Sequence, residues 1–482
     1  MDKARILVAS NRGPATFTLD EASKSPRARR GGGGLVSGLS AVSADPGTET
    51  LWVCAALTEL DREAARSAPE GRLDLAHPDL GAGRVRMLDI APQTFANAYS
   101  TVANSVLWFV HHMMYDTPTN PAFDTDFQGV WADYRAYNKA FCDALATGAA
   151  EGAKVAVQDY HLALVPRLLR DRRPDLRITH FSHTPWAPPE YFRILPTAVG
   201  RELLEGMLGA DYLGFLSQRW ADAFLDCCAS VLDADVDRRE STIRIGGRVV
   251  RVGVHALGAD AEGLKERAAQ SDVAERRRLL QEAVGERKLI VRVDRTELSK
   301  NIVRGLESYR ELLATHPEWH GRVVHLASAY PSRTDITEYR DYTEAVTRLA
   351  KDINDEFGTS DWTPLLLEVT DDYPRSLAAY QIADVLLVNP IRDGMNLVAK
   401  EGPLLSDNDA VVVLSREAGA ADELADDALM VNPYDVTETA EALHRALIMP
   451  SGERARRLER LAHAAAALPP QRWFADQLRA LG

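Results

Sequence analysis

The sequence predicts an α/β fold partitioned into two Rossmann-like domains. Two observations carry this. Short apolar runs alternate with longer amphipathic segments along nearly the whole chain, the pattern of parallel sheets covered by helices on both faces. The chain has 482 residues, of which 46% are hydrophobic, enough for two cores, and its runs are too numerous for one comfortable open sheet.

In the first half the strand candidates are 6–9, 51–55, 85–88, 155–157, 178–181 and 212–216. In the second half they are 289–293, 323–327, 365–367, 385–388, 410–414 and 429–431. Helix-like stretches lie between them at 263–284, 304–315, 342–357 and 438–446. A strand-like run, 249–254, ends just before the expected domain boundary near 258–263. The expected partition is residues 1–258, residues 259–465 and a closing amphipathic helix within 466–482, after the turn at Pro469-Pro470. Open parallel sheets bind ligands at the carboxyl ends of their strands, so motifs at those ends matter most.

The richest motif is Arg392-Asp393-Gly394-Met395-Asn396-Leu397-Val398-Ala399-Lys400-Glu401, after the apolar run 385–388 and Asn389-Pro390. It reads strand, glycine turn, helix N-terminus, a place where backbone N–H groups and the helix dipole favour an anion. Asp393 sits on the turn, and Glu401 is expected about two helical turns further on. A carboxylate at each place suits a sugar nucleotide. One can grip hexose hydroxyls and the other ribose hydroxyls, while the turn amides face the diphosphate.

Other motifs follow other strand candidates. Ser10-Asn11-Arg12-Gly13-Pro14 and Arg29-Arg30-Gly31-Gly32-Gly33-Gly34-Leu35 follow the first. Gln158-Asp159-Tyr160-His161-Leu162 and Phe181-Ser182-His183-Thr184-Pro185-Trp186 end two more. Val293-Asp294-Arg295-Thr296-Glu297-Leu298-Ser299-Lys300-Asn301 opens the second half, and Pro331-Ser332-Arg333-Thr334-Asp335 comes after 323–327. Leu414-Ser415-Arg416-Glu417-Ala418-Gly419-Ala420 ends another strand and is given no role beyond close packing.

These motifs, in this order from Ser10 to Asp435, resemble those of the trehalose-6-phosphate synthase family, retaining nucleotide-sugar glycosyltransferases. The resemblance implies a GT-B type fold, two facing Rossmann-like domains with the active site in the interdomain cleft. It implies donor binding by Gly33, Gly34, Arg295, Lys300, Asp393, Gly394, Met395, Asn396, Leu397 and Glu401. It implies acceptor binding by Arg12, Tyr99, Trp108, Asp159 and Arg333, with Arg12 and Arg333 clamping one phosphate from opposite domains. Arg295, Lys300, Asp393 and His183 form the implied catalytic set, with His183 beside the donor sugar rather than acting as a base. The implied partners are a nucleotide-glucose and glucose 6-phosphate, with no cofactor, metal, nucleic acid or membrane, and with a homo-oligomer possible.

The chain departs from the usual family pattern. Between the two cations the family commonly has Leu-Asp-Tyr, with Gly after the Lys. Here Thr296-Glu297-Leu298 and Asn301 stand instead, and Asn389 stands where Thr is common. These departures resemble an actinobacterial-type branch and lean towards GDP-glucose over UDP-glucose as donor. Two rival readings are a pseudo-glycosyltransferase joining cyclitol units and a catalytically silent trehalose-phosphate sensor.

Composition narrows the rest. A formal net charge of -14 argues against an extended nucleic-acid footprint. Cys54, Cys142, Cys227 and Cys228 lack framework spacing, so reduced thiols are expected. No apolar run is long enough to span a bilayer and no apolar leader opens the chain, so a soluble cytoplasmic protein is expected. Asp124-Thr125-Asp126 and Asp233-Ala234-Asp235 read as solvated acidic loops rather than metal sites, and His111-His112 lacks partners at ligand spacing.

Overall fold

A computed structural model describes residues 3–19, 26–30, 50–77 and 82–482. The chain packs as two units: Met1–Leu257 with Pro470–Gly482, and Gly258–Pro469.

The first unit holds β1 (Ala4–Ala9), β2 (Ala15–Leu19), β3 (Pro26–Arg30), β4 (Thr50–Ala55), β5 (Arg72–His77) and β6 (Ala82–Leu88). It also holds β7 (Ala149–Gln158), β8 (Arg177–Ser182), β9 (Tyr212–Phe215), β10 (Asp235–Asp237), β11 (Thr242–Ile245) and β12 (Arg248–Val254). Ten of these form one sheet in the order β10-β11-β12-β9-β8-β7-β1-β4-β6-β5. Pairing is parallel from β12 to β6 and antiparallel at both edges. Strands β4 and β8 are buried almost throughout, as a sheet covered on both faces requires. The chain winds one way from β1 to β4 and the other way from β1 to β7, so the order reverses where β1 meets β7.

The second unit holds β13 (Lys288–Arg295), β14 (Val323–Tyr330), β15 (Leu365–Glu368), β16 (Val385–Val388), β17 (Val411–Ser415) and β18 (Leu429–Val431). They form a parallel sheet in the order β15-β14-β13-β16-β17-β18, reversing between β13 and β16. In both units the reversal opens a crevice beyond the carboxyl ends of the two central strands.

Every strand expected from an apolar run is present. The runs did not reveal the β2–β3 hairpin, β5, β10 or β11. In these edge or paired ribbons β3, β5, β10 and β11 carry charged residues and β2 alternates threonine with apolar residues, so none gives a continuous apolar signal. The hairpin is tied down by Asp61, whose carboxylate accepts from Phe17 N (2.7 Å) and closes a capping box with Thr58 at the start of helix Glu59–Ser67.

The helix expected over 263–284 is two helices, Ala261–Ala268 and Ser271–Val284. Gln270 between them is extended, with ψ 154°. Asp272 Oδ1 accepts from Val273 N (2.9 Å), and its carboxylate takes both guanidinium nitrogens of Arg267 (2.9 and 2.6 Å), so the polar Ser271-Asp272 pair starts a new helix. A second correction concerns Glu401. Its helix begins at Val398, so Glu401 lies in the first turn, not two turns in. The irregular segment after β16 is longer than the glycine turn alone, because residues up to Leu397 remain outside the helix.

All four cysteines are free and buried. No helix among the described residues is long and apolar enough to cross a membrane.

One buried carboxylate ties the lower part of the second sheet together. Asp384, 5% exposed, accepts from Lys288 Nζ (2.8 Å), Leu289 N (2.9 Å) and Arg454 (3.3 Å). Removing it leaves the buried Arg454 without its anion. Asp384→Ala is therefore expected to lower stability by about 3 kcal/mol, read as a fall in the urea midpoint; an unchanged midpoint would contradict this account.

Candidate functional site

In the first unit the motif residues collect at the β1/β7 crevice. After β1, the turn is pinned from inside. Ser10 Oγ donates to Arg12 O (2.5 Å) and accepts from Trp52 Nε1 (2.7 Å), and Tyr137 OH donates to Asn11 Oδ1 (2.5 Å). Ser10 and Asn11 are buried by these bonds, and Arg12 is left exposed. Gly13 is required by close approach: a Cβ there would meet Cys54 Sγ at 2.5 Å.

After β7, Asp159 takes φ 73°, a region non-glycine residues rarely occupy. It caps no helix with its side chain. Its Oδ1 instead accepts from the backbone N of His183 (3.3 Å) at the end of β8, and its Oδ2 lies 3.8 Å from His161 Nδ1. Tyr99 stacks on His161, with centroids 5.6 Å apart, and Trp108 lies 5.9 Å from Tyr160. Tyr99 belongs to a π-helical segment, Asn97–Leu107, that leads directly into Trp108. Such windings favour functional sites. Asp159, Tyr99, Trp108 and His183 therefore converge on one turn.

His183 Nε2 lies 3.0 Å from Gln158 Oε1, and its ring lies against Phe181 and Trp473. Burial, helped by neighbouring His180, lowers its pKa to about 3, so it is neutral at physiological pH. With Nε2–H given to Gln158, the ring is a wall with a fixed tautomer. Trp473, on the last helix, completes that wall; its position far along the chain hid it from motif reading.

In the second unit the motifs meet at the β13/β16 crevice. Lys300 Nζ, after β13, lies 2.6 Å from Asp393 Oδ2, after β16. Burial pulls the Lys300 pKa down, but Asp393, Asp294 and Glu297 outweigh it and hold the ammonium. Asn396 Nδ2 also donates to Asp393 Oδ2 (3.2 Å), while its own Oδ1 accepts from Ala399 N (3.3 Å) in the first helical turn. Asn396 has φ 77°. Met395 is buried.

The loop after β17, given no role from sequence, supports this turn. Gly419 N donates to Asp393 O (3.0 Å), and Ala420 N donates to Met395 O (2.8 Å). A Cβ on Gly419 would lie 1.9 Å from Gly394 O, so only glycine permits this approach. Burial raises the Glu401 carboxyl to about 7.

Arg295 is half-exposed and lies 3.1 Å from Glu297 Oε1. Arg333, after β14, donates to Tyr339 OH (2.5 Å) and has φ 48°. Arg12, Tyr99, Trp108, Asp159 and His183 thus lie in the first unit, and Arg295, Lys300, Arg333, Asp393, Gly394–Leu397 and Glu401 in the second. Gly33 and Gly34 lie outside the described residues.

The sequence departures have internal explanations. Asn301 adopts φ 58°, the left-handed conformation that glycine supplies in the usual pattern and that Asn tolerates best among other residues. Its Nδ2 donates to Asn389 O (3.0 Å) and Pro433 O (2.7 Å), and both Asn side chains are buried. Thr296 Oγ donates to Ala329 O (2.9 Å). These side chains brace the loop.

The first aspartate of each D-x-D pattern sits at a helix end. Asp124 caps helix Thr125–Gly148 by accepting from Phe127 N (3.1 Å), and Asp233 ends helix Gln218–Leu232 in the left-handed region. Elsewhere, His316, Glu318 and His444 bring ligand atoms within 4.8 Å of one another. The two imidazoles stack at 3.8 Å with planes 8° apart, and Trp319 Nε1–H donates to His444 Nδ1 (3.1 Å). Nearly parallel planes aim the ring lone pairs past any common point.

Comparison with known proteins places the chain. Residues 4–482 match the family model described as glycosyltransferase family 20. The bifunctional trehalose-6-phosphate synthase/phosphatase of Thermoproteus tenax is 32% identical over 99% of this chain, which spans 63% of that protein's length. The validamine 7-phosphate valienyltransferase of Streptomyces hygroscopicus subsp. jinggangensis is 31% identical over 100% of this chain and 95% of its own. The structure of an alpha,alpha-trehalose-phosphate synthase (UDP-forming) from Burkholderia xenovorans in complex with glucose-6-phosphate is 27% identical, covers 99% of each chain and superposes with a TM-score of 0.84. Two units with parallel α/β sheets of the GT-B type, motifs at their strand ends and a family match over nearly the whole length lead to one conclusion: the chain belongs to glycosyltransferase family 20.

Proposed function

We propose that this glycosyltransferase moves a glucosyl unit from a nucleotide-glucose to glucose 6-phosphate, giving α,α-trehalose 6-phosphate with retention at the anomeric carbon. The observation that carries the reading is the Lys300–Asp393 pair at the β13/β16 crevice, with Arg295 on the same loop. In this reading Arg295 and Lys300 neutralise the donor diphosphate, and Asp393 orients hexose hydroxyls. Amides from Gly394 to Leu397 face the phosphates, and Glu401 takes the ribose hydroxyls. Arg12, Tyr99, Trp108 and Asp159 bind the acceptor sugar phosphate in the first unit, and Arg333 is the second unit's contribution.

Asp393 Oδ2 already accepts from Lys300 and Asn396, which suits it to holding hydroxyls rather than attacking carbon. We therefore favour front-face transfer. The bond from C1 to the phosphate oxygen breaks with its electron pair going to the diphosphate. The acceptor oxygen bonds C1 on the same face, and its proton passes to the departing phosphate. Catalysis then rests on positioning and on stabilising the diphosphate charge.

The donor base is a separate matter. Asn301, Asn389 and Thr296 brace the loop from inside, so the lean towards GDP-glucose rests on the sequence pattern rather than on a contact. The solved Burkholderia relative is named UDP-forming, and that supports placing UDP-glucose beside GDP-glucose as a donor. A second reading, transfer of a cyclitol unit, is favoured by the Streptomyces relative and by the Lys300-Asn301 pair.

The test is product formation from glucose 6-phosphate with UDP-glucose or GDP-glucose, in EDTA. Trehalose 6-phosphate is the expected product, and its absence with both donors would favour the cyclitol reading. Arg295→Ala and Lys300→Ala are each expected to lower kcat by about 10²-fold with little change in acceptor KM; loss of acceptor affinity alone would remove both from the donor site.

Glu401 adds a pH signature. Its ionised form accepts hydrogen bonds from two hydroxyls, and its protonated form gives up part of that capacity. With its pKa raised to about 7 by burial, donor KM is expected to fall as pH rises through 7 and to level off above it. Glu401→Gln should flatten that profile. A wild-type donor KM that ignores pH from 6 to 8 would rule Glu401 out as the hydroxyl acceptor.

A further inference from the structure

Glu297 is one of the residues that depart from the usual family pattern, and its side chain is wholly buried. It lies between β13 and the short turn Leu298–Lys300. Its Oε1 is 3.1 Å from Arg295 and accepts from Ser332 Oγ at 3.0 Å. Its Oε2 is buried and has no hydrogen-bond partner among the described residues. Ser332 directly precedes Arg333, whose φ of 48° keeps that loop in a strained turn.

A backbone bond joins the same two loops: Thr296 N donates to Tyr330 O (2.7 Å), while Lys300 N donates to Glu297 O (3.0 Å) within the first. Burial alone would push the carboxyl up, but Arg295, Arg333 and Lys300, with the Ser332 hydrogen bond, outweigh it and hold it at about 2. The group is an anion throughout the working range. Arg295 is thus paired directly with a buried carboxylate, and the loop that carries Arg333 is tied to the same carboxylate through Ser332.

We propose that Glu297 is a positioning residue that couples two phosphate-binding groups of the second unit, fixing Arg295 directly and the Arg333 loop through Ser332. This rests on the assignment of Arg295 to the donor diphosphate and Arg333 to the acceptor phosphate. Glu297 touches neither substrate. It sets where both guanidinium groups stand before either phosphate arrives, so one residue controls affinity for two ligands.

The test uses the full chain with Glu297→Gln, which keeps the shape and removes the charge, and Glu297→Asp, which keeps the charge. Thermal unfolding is recorded for each. Calorimetry then measures UDP or GDP alone, and glucose 6-phosphate alone. In Glu297→Gln both ligands should weaken separately, each by about ten-fold, the scale of one charge-assisted bond, at a melting temperature close to wild type. Glu297→Asp should recover most of both losses. Weakening of only one ligand, or of neither, overturns the proposal. So does an equal loss in both variants with a matching fall in melting temperature. If Glu297→Gln does not fold, Ser332→Ala decides: weaker glucose 6-phosphate binding in the folded protein, with nucleotide binding unchanged, supports the link to the Arg333 loop, and unchanged glucose 6-phosphate binding overturns it. Wild-type protein that binds neither ligand would instead refute the functional reading itself.

Discussion

The second unit is organised by the ion pair between Lys300 and Asp393. The two residues lie at the carboxyl ends of adjacent strands, β13 and β16, where the sheet reverses its order. At 2.6 Å and largely buried, the pair joins two loops that the backbone also ties through Ile391 N and Ser299 O (2.8 Å). A lone buried charge at either position would be unfavourable by several kcal/mol, so each residue makes the other tolerable. Around the pair the surroundings are correspondingly constrained. Asn396 accepts a positive φ, Gly419 gives up its side chain, and Asn301 takes the conformation that would otherwise demand glycine. The site is rigid because the loops that carry it are braced from behind.

The first unit follows the same logic with different chemistry. Its reversal, at β1 and β7, places the turn carrying Arg12 beside the turn carrying Asp159. Here hydrogen bonds and rings replace the ion pair. Asn11 is held by Tyr137, Asp159 holds the His183 backbone, and Tyr99 and Trp108 lie against the following turn. Tyrosine, tryptophan and histidine supply broad, stiff surfaces with few rotatable bonds around that turn.

Much of this was legible in the sequence, for a physical reason. Parallel strands buried on both faces must be continuously apolar, so 385–388 and 410–414 announce themselves, and the motifs follow directly at their ends. What stayed hidden obeyed other rules. The charged edge ribbons β5, β10 and β11 satisfy their backbone without an apolar run. The start of the helix carrying Glu401 depended on Asn396, whose side chain bonds back to Ala399 and delays the helix. Trp473 reaches His183 only through the fold. Glu297 read only as a departure from the usual pattern, and its burial beside Arg295 and Ser332 became visible only in the fold.

The π-helical segment Asn97–Leu107 has an arithmetic consequence. Tyr99 and Trp108 are separated by nine positions. At 3.6 residues per turn, that separation amounts to two and a half revolutions, and the two rings would point to opposite sides of the cylinder. The wider i→i+5 winding takes about 4.4 residues per turn, so the same separation makes roughly two whole revolutions and returns the rings to one side. The winding, rather than the choice of aromatic residues, is what lets a single segment present two rings to the Asp159–Leu162 turn. Sequences that conserve the aromatics but lose one residue between them would keep the letters and lose the pocket wall.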